Sequence, residues 1–429
     1  MTTPGSAAEP SLPLTVCPYP GPAVPSGPDA LLPLHGPEFS SDPQATYRRL
    51  RRIGPIAPVE IDNGVTGYVT TTYAAALHLL RNTPRRFSKD PHNWRALAAG
   101  QVPTDSPALG MMQARDNALW MDGAPHTRLR KSITDSLALV NTHSLAATVT
   151  SVADSLIDAF AAKGACDLVA DFADPLPMHV LIEMFGSPPD TGRRIVRAIA
   201  RLFDTAADPE QTNLEVDAAC RELTQLKRKD PAPDVTSWLV GHEADLTDDE
   251  MSQQILLIVG AGTTPCTNLI SNSLRLLIDD ERFSGSVFEG VHSVGDVMDE
   301  VLWEDPPVSN YSPLYARGPE TYEGVTLEPG VPILVSFAAA NSDPAMASST
   351  HGRAGNRAHL AFSAGAHGCP APDLARVIVE TAVERVLDRL PDMELACPAG
   401  QLVRRPGTFH SGYASLPVVF PPNAHSATH

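Results

Sequence analysis

The sequence predicts a mainly α-helical protein with small β-sheets, an α+β fold. Short runs at 56–61 and 67–70, separated by the turn Asn63-Gly64, have the composition and spacing of a two-stranded hairpin. A long helix is expected after Thr247-Asp-Asp-Glu250, which has the form of a capping box. Apolar residues recur at helical spacing in four segments between residues 140 and 240, which are 145–160, 173–185, 192–207 and 217–227.

Length and charge limit the kinds of protein that this chain can be. With 429 residues and 43% hydrophobic content, it can bury a sizeable core, and length alone suggests two or three domains. The net charge of −18 disfavours binding to nucleic acid or to an anionic membrane surface. No apolar stretch approaches the roughly 20 residues of a membrane span. We therefore expect neither nucleic acid nor a membrane as a partner.

Cysteine usage and the N-terminus indicate a cytoplasmic protein. The six cysteines are scattered without a Cys-x-x-Cys pair, which disfavours a zinc ribbon or a disulfide framework and favours a reducing cytosol. The first residues have neither the basic nor the apolar region of a secretory signal. Ten prolines precede residue 40, so residues 1–40 are predicted to form an extended arm.

The remaining elements follow from local patterns. Helical spacing predicts helices over 42–50 and 71–80, and an apolar run predicts a buried strand over 331–340. Residues 87–120 contain several prolines and two tryptophans without regular periodicity, so they are predicted to be a long loop. Loops of this length in compact proteins are usually functional or disordered.

The stretch from Phe362 to Asp373 carries the clearest chemistry. A glycine-rich turn presents Cys369, and a helical pattern through 374–390 follows directly. Pro372 fits the first helical turn, and Asp373 complements the positive end of the helix dipole. Backbone N–H groups at such a helix start stabilise a thiolate, and a cysteine thiolate can be an axial ligand of haem iron.

This stretch resembles the haem-ligand loop of the cytochrome P-450 superfamily, the haem-thiolate monooxygenases. Alanine 371 stands where the family usually has glycine, and the residues that match the family pattern are Phe362, Gly365, His367 and Cys369. The resemblance implies that Cys369 is the metal ligand of haem b. It also implies the cytochrome P-450 fold, in which haem lies between a long distal helix and the helix after the cysteine loop. Residues 41–429 are then one haem-thiolate domain, which we expect to be a monomer.

A second match concerns the haem propionates. Pro125 is predicted to open a helix on which His126 and Arg130 lie on one face, four residues apart. The family uses His-x-x-x-Arg to bind the propionates, which implies this role for both residues. The arginine that usually supports a propionate after the later Pro-Pro pair falls at Leu314, and the nearby Arg317 is the predicted replacement.

The distal helix departs from the family pattern. Ala261 and Gly262 match the small residues that let O2 approach the backbone, but the acid and alcohol that normally follow fall at Thr264 and Pro265. A shifted register offers Thr263 as the alcohol and still leaves no acid. Because Pro265 cannot donate to the carbonyl of Ala261, we expect a kink in the helix there. Proton delivery would then depend on Thr264, on Thr267 or on the substrate itself.

The family's Glu-x-x-Arg motif is also changed. Glu300 is present, but Trp303 stands in place of the arginine, as in an atypical actinobacterial subgroup that this chain resembles. Trp offers a single N–H where arginine forms a bidentate ion pair. Glu300 therefore needs another cation, for which Arg353 or Arg357 is predicted.

The resemblance also suggests substrate contacts. The loop over the distal pocket contributes Trp94 and Met111, and the last hairpin contributes Phe409, His410 and Tyr413. For each of these residues, simple packing of the loop or hairpin is an alternative interpretation.

Three functions are compatible with these residues. The first is a monooxygenase of specialised metabolism that acts on a small organic substrate, with electrons from a ferredoxin and a ferredoxin reductase. The second keeps the haem but performs peroxide-driven oxidation, oxidative coupling or redox-neutral chemistry, because the distal acid and alcohol are missing. The third is a haem-binding or ligand-binding protein without catalysis.

Overall fold

The computed structural model describes residues 31–202, 209–287, 289–346 and 355–422. Helix is the predominant secondary structure of these residues. The α-helices of these ranges, α1 to α15, are Gly36–Ser41, Pro43–Ile53, Tyr73–Arg81, Arg95–Ala98, Pro107–Met112, Gly123–Ala138, Thr142–Asp158, Pro175–Met184, Pro189–Leu202, Pro209–Lys229, Val235–Val240, Asp248–Asp279, Val294–Glu304, Phe337–Asn341 and Pro372–Arg389. The predicted helices are confirmed in the described residues, although the helix predicted over 217–227 already begins at Pro209, and residues 203–207 of the helix predicted over 192–207 lie outside the described residues.

The strands of the described residues are short, and β1 to β11 are Leu32–Pro33, Ile56–Asp62, Val65–Thr70, Phe87–Ser88, Ala165–Asp167, Asn310–Ala316, Glu320–Tyr322, Val325–Leu327, Ile333–Ser336, Glu394–Leu395 and Pro417–Val419. Six of them form a mixed sheet in the order β1-β2-β3-β9-β6-β4. The predicted hairpin is the antiparallel pair β2–β3, in which Ile56 faces Thr70. At the edge of this sheet, β4 pairs with β6 in antiparallel register.

Helix α12 lies at the centre of the main core and positions the site. The Thr247 side chain accepts from the N–H of Glu250, and the Glu250 carboxylate accepts from the N–H of Thr247, so the predicted capping box is present. The helix runs 32 residues through Pro265 without interruption. It packs against α8, α10, α13 and α15, and α15 also packs against α7. The segment after the cysteine loop is therefore held directly beside the central helix.

One helical stretch, Thr142–Lys163, is long and apolar enough to cross a membrane by length and composition alone. Its apolar positions Leu145, Val149, Ala153 and Ile157 are buried in the main core. Core helices of globular proteins have this same character.

Three expectations differ from the structure. Leu32–Pro33 pairs with β2 and Gly36–Ser41 is helical, so the predicted arm over 1–40 is wrong in its last part; residues 1–30 lie outside the described residues. The strand predicted over 331–340 ends at Ser336, whose side chain accepts from the N–H of Ala339 and caps α14. The loop over 87–120 contains β4 and two short helices, because Ser106 caps α5 and proline starts it.

Candidate active site

The cysteine loop is closed by its own backbone. The N–H of Cys369 donates to the carbonyl oxygen of Phe362 at 2.8 Å, and Gly365–His367 forms one turn of 3-10 helix between them. Gly365 has φ of +71°, and a Cβ at this position would lie 2.5 Å from the carbonyl oxygen of Leu80. Only glycine fits both the left-handed backbone and the close contact with α3.

Cys369 lies at the start of α15 with its side chain exposed. The N–H of Ala371 donates to its Sγ at 3.4 Å, which is the predicted interaction between a helix start and the sulfur. Ala371 has φ of −137°, a conformation open to any residue, so its methyl group in place of glycine introduces no backbone strain. Surrounding protein atoms raise the thiol pKa, while the Ala371 N–H and Arg130 act to lower it. Coordination to a metal ion would deprotonate the thiol outright.

The central helix borders the same region. Burial, followed by the charge of Cys369, raises the pKa of the Cys266 thiol on α12 to about 12, so the two elements are electrostatically close. Ala261 is exposed although it belongs to the most central helix, and a Cβ at Gly260 would meet no atom within 4 Å. A Cβ at Gly262 would instead lie 3.1 Å from Leu181 of α8. Gly262 therefore permits close helix packing, while Ala261 lies on an accessible face.

The threonines of α12 have different environments. The hydroxyl of Thr263 donates to the carbonyl of Val259 one turn earlier, and that of Thr267 donates to the carbonyl of Ala173 at 3.0 Å. Thr267 is buried, whereas Thr264 is half-buried. In the part of the chain that the structure describes, the Thr264 hydroxyl has no hydrogen-bond partner. Thr264 is thus the side chain of this segment whose hydroxyl remains available.

Basic side chains collect between α6 and the cysteine loop. The rings of His126 and His367 lie 4.0 Å apart at 35°, and Arg130 donates to the carbonyl of Gly368. Burial, followed by the charges of Lys89, His126 and Arg130, lowers the pKa of His367 to about 2. Burial and Arg130 also lower the pKa of His126. Both imidazoles are therefore neutral at pH 7.

This arrangement fits the propionate end of a haem. Nε2 of His126 and Nε2 of His367 are buried, and neither has a hydrogen-bond partner among the described residues. Two such nitrogens beside a guanidinium can donate to carboxylates as charge-assisted hydrogen bonds. The exposed thiol of Cys369 in the adjacent loop can supply the iron ligand that a haem also requires. The residues present thus match the group that the resemblance implies.

Arg317 lies at the outer side of this cluster. Its Nε donates to the carbonyl of Pro84 at 2.7 Å, and its Nη2 donates to the carboxylate of Asp122 at 2.7 Å. The side chain is 45% exposed. These contacts fix Arg317 against protein groups, so its predicted contact with a propionate stays a prediction.

Glu300 has a partner that the sequence did not indicate. Arg282, which follows α12, donates from Nη1 to Oε1 of Glu300 at 2.8 Å, and it also binds Asp280. The structure does not bear out Arg357, which is exposed, as this partner, while Arg353 lies outside the described residues and stays a prediction. Arg282 thus provides a cation for Glu300 from a position that precedes Glu300 in the sequence.

Trp303 connects α13 to the segment before the cysteine loop. Its indole N–H donates to the carbonyl of Asn356 at 2.7 Å, and its ring packs edge-on against His359 with centroids 5.9 Å apart. The side chain is buried. A neutral hydrogen bond and ring packing thus help to hold this segment where the family uses an ion pair.

The predicted substrate contacts separate into two groups. Met111 and Phe409 meet around Tyr311, whose hydroxyl donates to the carbonyl of Met111 at 3.2 Å and whose ring centroid is 6.0 Å from that of Phe409. His410 is half-buried beside them and pairs with Val308. Burial and Arg405 lower the His410 pKa to about 4.

The other two residues do not join that group. Trp94 is 1% exposed and packs in an apolar cluster with Met112, so the structure favours the alternative that it anchors the loop. Tyr413 stacks on Arg404 and lines a cavity of about 370 Å³ together with Asn272. Neither Tyr311 nor Phe409 lines that cavity.

Two features near the site were missed. Lys89 is fully buried, with Nζ 4.9 Å from the ring centroid of Trp120. Asp299 of α13 and Arg376 of α15 form a buried ion pair. The available signals were a lysine directly after a strand and an arginine on the inward face of the helix that follows Cys369.

The chain is similar to known proteins over most of its length. No model of a protein family matches. The chain is 30% identical over 393 residues to 2-hydroxy-5-methyl-1-naphthoate 7-hydroxylase of Streptomyces carzinostaticus, which covers 88% of this chain and 95% of that protein. It is also 30% identical over 393 residues to the cytochrome P-450 monooxygenase PikC of Streptomyces venezuelae, covering 89% and 91%.

The fold agrees with these relatives. The structure of CYP154C4 from a Streptomyces species superposes with a TM-score of 0.81 at 29% identity, over 91% of this chain and 97% of that one. Agreement over almost the whole of both proteins extends far beyond the cysteine loop. The chain therefore belongs to the cytochrome P-450 superfamily.

Proposed function

We propose that this protein is a monooxygenase that hydroxylates or epoxidises a small organic substrate of specialised metabolism, with electrons from a ferredoxin-type partner. The observation that carries the proposal is Cys369, exposed directly before α15, the helix that packs against the central helix α12. The naphthoate hydroxylase and the monooxygenase PikC are both named for oxygenation, which supports the same reaction class.

The residues around Tyr311 suggest a ring-containing substrate. Its ring contacts Phe409 and lies 6.3 Å from that of Trp120 in an edge-to-face arrangement. Aromatic side chains provide large apolar contact areas for planar or polycyclic molecules. Met111 adds a flexible contact, which adapts to irregular shapes. We infer that an apolar ring system binds between these residues and α12.

The overall reaction defines what the chain must supply. Bound haem with a thiolate ligand supplies the activation of O2. One oxygen atom enters the substrate, the other leaves as water, and two electrons and two protons are consumed. The electrons come from the redox partner. The protein therefore has to orient the substrate and to deliver protons at the distal side.

Proton delivery in this chain is assigned to Thr264. Its hydroxyl is available, whereas those of Thr263 and Thr267 are engaged with backbone carbonyls. Pro265 has no N–H, so the carbonyl of Ala261 lacks its usual helical donor and can accept from a water molecule. A water held between Ala261 and Thr264 would relay protons without the missing acid.

A second candidate rests on that same missing acid. Without a carboxylate at position 264, the protein could use peroxide, which already carries the two electrons and the two protons that O2 would need. Oxidative coupling and redox-neutral reactions are further outcomes of this kind. A protein that binds haem and substrate without turnover is the third outcome.

The test compares two oxidants on the same haem-loaded protein. Ligands that change the iron spin state are first selected from naphthoates, steroids and macrolides. With NADPH, a ferredoxin reductase and a ferredoxin, we expect a product that contains one oxygen atom from 18O2. Turnover with hydrogen peroxide alone would favour the second candidate. Turnover under neither condition, for every ligand that binds, would favour the third.

Pro265→Thr is expected to raise the coupling of electrons to product. The substitution places a hydroxyl at the position that the family uses for oxygen activation and restores a backbone donor for Ala261. Coupling is measured as product formed per NADPH consumed. An unchanged ratio would mean that oxygen activation does not depend on this position.

Two variants of α12 serve as controls. Thr264→Val removes the available hydroxyl at constant shape and should lower coupling. Thr267→Val removes a hydroxyl that bonds to Ala173 and should leave coupling unchanged. Equal effects of both variants would contradict the relay through Thr264.

A further inference from the structure

A polar cavity lies where the C-terminal part of α12, the end of α13, the start of α2 and the last hairpin meet. Its volume is about 370 Å³, it is partly open to solvent, and its polar lining includes Asn272, Arg275, Asp305 and Arg404. No residue of the cysteine loop, 362–369, is among its lining residues, so the cavity is separate from the candidate haem site. Its volume is at the lower end of the range for small-molecule sites in proteins.

The side-chain amide of Asn272 is held in one orientation by two backbone carbonyls. Its Nδ2 donates to the carbonyl of Asp305 at 3.2 Å and to that of Ser411 at 3.3 Å. Both N–H bonds of the amide are therefore used, and the atom that remains is the acceptor Oδ1. Asn272 is 2% exposed, and Oδ1 has no hydrogen-bond partner among the described residues. Because a buried acceptor without a partner is unfavourable, a donor from a bound molecule would satisfy it.

Arg275 places a cation one helical turn after this amide. Residues three apart lie on the same face of a helix, and both Asn272 and Arg275 line the cavity. The Nε of Arg275 is buried and has no hydrogen-bond partner within the ranges that the structure describes. Hydrogen bonds from Arg282, and then the charge of Arg275, lower the pKa of Asp280, so that carboxylate is already engaged by another arginine. Arg275 can therefore donate to an anion in the cavity.

The other charged groups of the cavity compensate one another. Arg404 donates to both carboxylate oxygens of Asp305, at 3.1 and 2.7 Å. Glu304 is exposed, and its carboxylate lies 3.5 Å from Nη2 of Arg282, so that cation and water screen its charge. The charge of Arg275 consequently decides the preference of the cavity, which is for an anion.

The remaining wall suits an apolar group. Leu276, Val301 and Ala338 line the cavity beside the ring of Tyr413. That ring packs flat against the guanidinium of Arg404, whose central carbon lies 4.9 Å from the ring centroid. A molecule that binds at Asn272 and Arg275 would therefore have hydrocarbon surface next to its polar groups.

We propose that this cavity is a second ligand site, which binds a small 2-hydroxy or 2-amino carboxylate with an apolar side group. The carboxylate accepts from Arg275, and the hydroxyl or amino group donates to Oδ1 of Asn272. A carboxylate paired with a guanidinium forms charge-assisted hydrogen bonds, which are the stronger of the two contacts. The site requires neither haem nor turnover, so it is independent of the proposed function.

The test compares three ligands of one shape by titration calorimetry on the full-length protein. 3-Phenyllactate has both polar groups, 3-phenylpropionate lacks the donor, and 3-phenyl-1,2-propanediol lacks the acid. Excess imidazole is present throughout to occupy the iron position of any bound haem. We expect 3-phenyllactate to bind about tenfold more tightly than 3-phenylpropionate and about ten- to hundredfold more tightly than the diol, the ranges for neutral and charged hydrogen bonds.

Arg275→Met removes the cation and keeps an unbranched side chain. The variant should bind 3-phenyllactate about ten- to hundredfold more weakly, the range for a hydrogen bond to a charged group. Without ligand, its unfolding midpoint should not fall, because no internal ion pair is lost. Arg193→Met is the matched control: this arginine of α9 is 57% exposed and does not line the cavity, so its removal should leave binding unchanged.

Four results would overturn the proposal. Binding of none of the three ligands would mean that the cavity holds water only. Equal affinity for all three, or an unchanged affinity in Arg275→Met, would place the ligand elsewhere. Inorganic phosphate bound as tightly as 3-phenyllactate would show a simple anion site without a role for Asn272. A lower unfolding midpoint of ligand-free Arg275→Met would show that the guanidinium already has a partner within the fold.

Discussion

Cys369→Ser should abolish the thiolate-type Soret band of the reduced, CO-bound protein and, with it, oxygenation of the substrate. The loop positions one sulfur at the start of α15: the backbone N–H of Cys369 donates to the Phe362 carbonyl, and the Ala371 N–H donates to the sulfur. A serine hydroxyl keeps the size of the side chain but is a poor ligand for haem iron and supplies none of the electron density that favours O–O cleavage. The loss should therefore be complete.

The matched control is Cys397→Ser. Cys397 is a half-buried free thiol that lines a shallow surface pocket with Glu394 and Pro398. Its substitution should leave both the absorption band and the reaction unchanged. A histidine-type band in the wild-type protein, or a thiolate-type band that survives in Cys369→Ser, would contradict the assignment of the ligand.

Arg376→Met should destabilise the protein by about 3–5 kcal/mol, the range for removing one partner of a buried ion pair. Asp299 is 2% exposed and Arg376 is 7% exposed, so the substitution leaves a carboxylate in the interior without its cation. The pair links α13, which carries Glu300 and Trp303, to α15, which begins beside Cys369. The midpoint of urea-induced unfolding of the haem-loaded protein measures the effect.

Two variants make this result specific. Arg385 lies on the same helix as Arg376, is 30% exposed and shares Asp154 of α7 with Arg389. Arg385→Met should therefore change stability by about 1 kcal/mol or less. Asp299→Leu combined with Arg376→Met removes both charges and should recover most of the lost stability. A loss for Arg376→Met no larger than that for Arg385→Met would contradict the importance of the buried pair.

The sequence predicted those parts of the site that depend on short spacings. The cysteine loop, with its glycine at 365 and its helix after Cys369, is encoded within about a dozen residues. Likewise His126 and Arg130 come together because they are four apart on one helix. Helix α12 was predicted from its capping box and its apolar run, and the structure confirms both. In each case, local backbone geometry brings the functional groups together.

Predictions failed where the partner is distant in the chain. For Glu300 we expected an arginine that follows it, whereas the cation that the described residues show is Arg282, which precedes it and reaches it because α12 packs against α13. Phe409 and Tyr413 belong to one hairpin, yet they face different spaces, which depends on how that hairpin docks. Sequence spacing contains no information on such packing.

The sequence by itself determined which residues form the ligand loop and the distal helix. It contains a single cysteine in a glycine-rich turn before a helix, and a central helix that lacks the usual acid and alcohol. Only the tertiary structure decided which charges support that chemistry. Buried Lys89, directly after β4, lies over the ring of Trp120, and the packing of α13 against α15 joins Asp299 to Arg376. The reason is physical: a ligand loop is formed by neighbouring residues, whereas a buried cation is positioned by strand register and helix packing across more than 70 residues of chain.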